Sequence, residues 1–181
     1  MHARRDERTR PLPGDEILPR VIGSLTHAVT IGRPRREVWP WLVQMGAGRA
    51  GWYSYDRIDN GRRHSAERIV PELQRVEVGA TIPWQPGAAE GFTVLRVEPE
   101  RHLVLGALPP EGGPPVVTWA FVLEAPDPGH TRLIARVRAR AGYRPPFGLP
   151  RWTVRTLVPW GHMVMQRKQL LGIARRAEAR P

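Results

Sequence analysis

TRLIARVRARA, residues 131–141, alternates with a period of two. Leu133, Ala135, Val137 and Ala139 fall on one side, and Arg132, Arg136, Arg138 and Arg140 on the other. Successive side chains of a strand point to opposite faces. The segment therefore predicts a strand with one buried face and one wet face. Upstream, Val116–Glu124, His102–Leu108 and Phe92–Glu98 read as further strands, separated by Pro99 and by the proline-rich stretch Pro109–Pro115. Val76–Ile82 predicts another, interrupted at Gly79. Strands joined by short turns form an antiparallel sheet.

Downstream, a Pro145–Pro150 loop leads into a long helix. Trp160, Met163, Val164, Arg167, Leu170, Leu171 and Ala174 share one broad face of it, and Pro159 either starts or kinks it. Toward the N-terminus, residues 25–31 (LTHAVTI) predict a strand and 33–46 (RPRREVWPWLVQMG) a helix. In that helix Pro34 suits the first turn, Val38, Trp41, Leu42 and Met45 mark the buried face, and Gly46 is the stop; Pro40 should kink it. Residues 51–60 suggest a second short helix, and 61–74 a loop. Residues 1–24, broken by Pro11, Pro13, Gly14 and Pro19, read as an extended N-terminal arm without regular structure, ahead of a domain over 25–178. The expected class is α+β: an amphipathic helix lying across a curved antiparallel sheet, with a ligand cavity between them.

The 181 residues suit one domain, and 41% hydrophobic with 25% charged residues suits a globular chain. With no cysteine, disulfides, thiolate catalysis and cysteine-based metal sites are excluded. No apolar run approaches the ~20 residues of a membrane span. The opening MHARRDERTRPLPGDE lacks the apolar stretch of a signal peptide, so the expected location is the cytoplasm. The net charge of +11 resides in residues 132–181, which hold 12 Arg and Lys against Glu178 alone. That bias reads either as a solvated arginine-rich face or as a surface for phosphates or anionic lipid.

Several stretches resemble the START/Bet v 1-like (SRPBCC) superfamily: PLPGDE (11–16), AVTIGRPRREVWPWLVQMG (28–46), GRAGWYSYD (48–56), HSAERIVPE (64–72), VGATIP (78–83), TWAFVLE (118–124) and TRLIARVRAR (131–140). The GWYSYD segment is similar to an uncharacterised bacterial branch related to polyketide cyclases. The resemblance spans about residues 11–178. It implies a helix-grip fold, a curved sheet wrapped around a long C-terminal helix, and a hydrophobic cavity. It implies no particular reaction, since this fold hosts carriers, receptors, cyclases and co-chaperones.

Candidate site residues follow from chemistry. Trp52, Tyr53, Tyr55, Trp84, Trp119, Trp160 and Met163 are large side chains on elements expected to bound the cavity; ordinary core packing is the alternative for each. Asp56, Tyr55, His102 and His162 are the candidate acid–base groups, with capping or structural hydrogen bonding as the alternative. Gly46-Ala-Gly48-Arg-Ala-Gly51 matches a dinucleotide fingerprint in letters, but helical spacing precedes it where a strand is required. The six histidines show no metal spacing, so neither metal nor cofactor is expected. The leading expectation is a carrier or binder of a lipid-like or polyketide-like molecule. A cyclase or dehydratase is second. Third is an adaptor contacting anionic membrane or, less in keeping with the sequence, nucleic acid through the basic C-terminal surface. The sequence sets no oligomeric state.

Overall fold

The structure, a computed structural model, describes residues 2–141 and 157–179. The chain runs α1 (Arg5–Thr9), β1 (Gly23–Ile31), α2 (Arg35–Val43), α3 (Asp56–Asp59), β2 (Thr81–Pro83), β3 (Gly91–Glu98), β4 (His102–Ala107), β5 (Val117–Asp127), β6 (His130–Ala139) and α4 (Leu157–Glu178). The expected loop at Pro145–Pro150 lies outside the described residues. The strands form one open antiparallel sheet in the order β1-β6-β5-β4-β3-β2. α4 packs across its inner face, which is the α+β helix-grip arrangement.

Alternation sorts the sheet into two cores. Val29, Leu105, Phe121, Leu123, Leu133 and Ala135 face inward with Leu170, Ile173, Ala174 and Ala177 of α4. Ala28, Val104, Ala120, Val122 and Ile134 face outward. A bulge between Val94 and Arg96 shifts β3 by one residue. Leu95 thereby joins the outer cluster, while Val94 and Val97 serve the inner one.

The outer face is not wet. The N-terminal segment, expected to lack regular structure, carries α1 and a 3-10 turn over Asp15–Ile17 and covers that face with Ala3, Leu12 and Ile17. The arginines read as solvated are its anchors. Arg132 donates to both carboxylate oxygens of Glu7, at 2.7 and 2.9 Å. Arg136, only 3% exposed, donates to Thr26, to the carbonyls of Glu7 and Arg10, and to Asp15. Arg138 pairs with Asp15 at 3.2 Å and donates to the Leu18 carbonyl. An irregular chain leaves carbonyls without ladder partners, and the five donors of a guanidinium supply them.

Other differences are local. β2 spans three residues rather than the expected seven, because Gly79 has φ +90° and ends the pairing there. α2 runs unbroken through Pro40, which in a nine-residue helix removes only one hydrogen bond. Pro159 lies in the first turn of α4, where its missing N–H is not needed. Residues 46–51 follow α2 rather than a strand and form a turn closed by a Gly46–Gly51 bridge.

Candidate functional site

Between the inner sheet face and the first half of α4 lies a cluster of aromatic rings centred on Trp119. Trp52 stacks on it with centroids 5.5 Å apart, and Phe92 meets it edge-on at 5.4 Å. Phe121, two residues along β5 on the same face, lies at 4.9 Å. The His162 ring approaches at 5.8 Å from α4. The series runs from Phe121, fully buried, through half-buried Phe92 to Trp84, which is 37% exposed and touches Phe92 edge-on at 6.0 Å. One end of the cluster thus reaches solvent.

Its polar atoms come from α4 and β1. Gln166 accepts from the Trp119 indole N–H at 2.8 Å and donates to Gln169 at 2.7 Å. Gln169 reaches the Met45 sulfur at 3.6 Å. Both glutamines are 2% exposed. The Nε2 atoms of His162 and His27 are enclosed yet make no hydrogen bond among the described residues. His27 pairs across the strands with Ala135, whose other neighbour is Phe121, and so lies on the inner face. Burial pulls the His162 pKa down to about 4, with the nearby His27 adding to the effect and Gln166 opposing it. Burial lowers His27 as well. Both imidazoles are therefore neutral near pH 7, each with a nitrogen turned into an apolar setting.

Of the expected lining residues, Trp52, Trp84 and Trp119 meet here. The others do not. Tyr53 has φ +58°, a backbone twist that turns it away from the direction of Trp52. Its hydroxyl accepts from Gln44 at 2.8 Å, its ring lies under the Arg176 guanidinium, and its edge meets Trp41, so it anchors the helix layer. Burial pushes its phenol well above the usual range. Trp160 is 67% exposed on the far side of α4. Met163 is half-buried. Tyr55 lies at the surface beneath the Lys168 ammonium.

Among the expected acid–base groups only His162 joins the cluster. Asp56 accepts from the backbone N–H and hydroxyl of Ser65, bracing the 51–65 loop. His102 sits opposite Val122 on the outer face, 3.6 Å from Glu98. His27, Phe92, Gln166 and Gln169 were missed. His27 was readable in principle, being in phase with Val29 and Ile31 on β1.

No family model matches the sequence, and no curated protein matches it. Solved structures do. A Thermobifida fusca protein shares 15% identity over 85% of this chain and 92% of its own, with a TM-score of 0.50. The chain has the α+β helix-grip fold. An Enterococcus faecalis conserved protein of unknown function shares 14% identity over 90% of this chain and 78% of its own, with a TM-score of 0.49. An aromatase/cyclase from Streptomyces sp. R1128 shares 16% identity over 86% and 93%, with a TM-score of 0.48. At such identities the likeness is one of helix-grip fold alone.

Proposed function

We propose that the protein binds a small apolar molecule bearing a hydrogen-bonding group, of the lipid-like or polyketide-like kind, against Trp52, Phe92 and Trp119. The observation that carries this reading is the pair of enclosed imidazole nitrogens, without a partner among the described residues, beside an aromatic cluster that reaches the surface at Trp84. An enclosed polar atom without a partner costs about 1–3 kcal/mol. A ligand hydroxyl at His27 or His162 would recover that cost while its rings stack on the indoles. Entry requires the rings to part, with Trp84 as the first to move. A proton-transfer role rests on His162 alone, and a pKa of about 4 makes it a weak base at neutral pH. A chain without cysteine suits a reducing cytoplasm as its place of work.

Two probes test the reading: naphthalene and 2-naphthol, which differ by one hydroxyl. Titration followed by tryptophan fluorescence should show 2-naphthol binding more tightly, by about tenfold. His27→Phe with His162→Phe should erase that difference while retaining naphthalene. Equal binding of the two probes, or no binding of either, would refute the proposal.

A further inference from the structure

The outward side of α4 carries an apolar and basic strip. Trp160, Val164 and Leu171 are 67%, 49% and 45% exposed. Arg167, Lys168 and Arg175 are exposed between and beyond them. At about 100° per residue all six fall within an arc of roughly 100°, on a strip about 22 Å long. α4 has no carboxylate before Glu178. The segment around α3 widens the strip, because Ser54 donates to the Met165 carbonyl at 3.1 Å and Lys168 lies 4.4 Å over the Tyr55 ring. This brings up Ile58, 63% exposed, and exposed Arg57.

Nearby carboxylates do not cancel these cations. Asp56 is engaged by Ser65, Asp59 is enclosed, and Glu67 is held by Arg175 and Arg176 at 2.8 and 2.7 Å. Arg57, Arg167 and Lys168 have no carboxylate partner among the described residues.

We infer that this face docks on an anionic lipid surface. Trp160, Val164, Leu171 and Ile58 enter the boundary between headgroups and acyl chains, and Arg167, Lys168 and Arg57 meet the acidic headgroups. A second copy of the chain would set these cations against their own kind. A nucleic acid would use the cations but leave Val164, Leu171 and Ile58 without a role. No helix among the described residues is long and apolar enough to cross a membrane, so the contact is peripheral. The inference is independent of the interior ligand.

Flotation of the full chain with phosphatidylcholine vesicles, with and without phosphatidylserine, tests it. The chain should float with the phosphatidylserine vesicles only, and added salt should release it. Trp160→Ser with Leu171→Ser should weaken flotation about tenfold at unchanged charge. Arg167→Glu with Lys168→Glu should abolish the phosphatidylserine preference. All four positions are exposed, so unfolding midpoints should remain near the parent's and exclude misfolding as the cause. Equal flotation with both vesicles, or flotation indifferent to the Trp160 and Leu171 changes, overturns the inference. So does absent flotation alongside salt-sensitive binding to duplex DNA, or dimerisation that Trp160→Ser abolishes.

Discussion

His162 and Asp59 titrate in opposite senses. Burial holds the folded His162 at about 4 against an ordinary 6.5. Below pH 6.5 the unfolded chain takes up a proton that the folded chain refuses, so stability falls as pH drops toward 4, by up to about 3 kcal/mol. Asp59 is enclosed, and burial, reinforced by the charge of Asp56, raises it from 3.8 to about 6. Between those values the folded chain retains a proton that the unfolded chain has lost, so its contribution falls as pH rises, by a similar amount. The two contributions offset each other in the parent. Asp59→Asn should become more stable as pH rises from about 4 to 6. His162→Gln should move the other way, blunted by His27, whose pKa is depressed like that of His162. Urea midpoints across that range check both, and parallel profiles in all three proteins would refute the assignment. His162 was a candidate from the sequence, but the surroundings of neither group were legible there. Asp59 was one of two acids in the short helix expected over 51–60, and the burial of His162 depends on β5 and β1, distant in the chain. Trp119 was legible because it lies in phase with Phe121 and Leu123 on β5.

At the scale of the element, α4 offers two glycines with opposite expectations. A Cβ at Gly161 would meet nothing within 4 Å, so Gly161→Ala should stabilise by up to about 1 kcal/mol. A Cβ at Gly172 would fall 2.3 Å from the Tyr53 carbonyl oxygen, where the backbone cannot step aside cheaply. Gly172→Ala should therefore destabilise, by about 1–3 kcal/mol, despite the better helix propensity of alanine. Thermal unfolding of the two variants should move the midpoint in opposite directions. The strands over 92–139 were legible because period-two patterning survives without knowledge of the partner. The face of α4 was not. Gln166, Gln169 and Arg176 occupy its buried side, while Trp160, Val164 and Leu171 lie outside. A polarity count therefore rotates the helix by part of a turn. The glutamines are inward because the Trp119 indole and each other's amides satisfy them.

The whole molecule is closed on its outer face by the N-terminal segment, and this was hidden in the sequence for a physical reason. Arginines alternating along a strand look the same whether water or carboxylates cover them. The contacts that decide the matter join Glu7 to Arg132 and Asp15 to Arg136 and Arg138. Glu7→Gln should cost about 2 kcal/mol, a typical value for a charged hydrogen bond, read as a lower urea midpoint. It should also speed amide exchange in residues 2–18; unchanged exchange there would contradict the anchoring role. Arg132 holds Glu7 below its ordinary value of 4.5. Its contribution is thus complete above pH 4.5 and is lost as acid protonates the folded carboxyl, so the segment should come away in acid. The strand order has a temporal consequence. β1, the first strand in chain order, has β6, the last, as its sheet neighbour, and its helix partner is α4. Until β6 is in place, β1 has no edge to join, and β2 to β5 form a ladder open on both sides. Loop closure over most of the chain therefore precedes any reward from β1, which slows folding and leaves strand edges unpaired meanwhile.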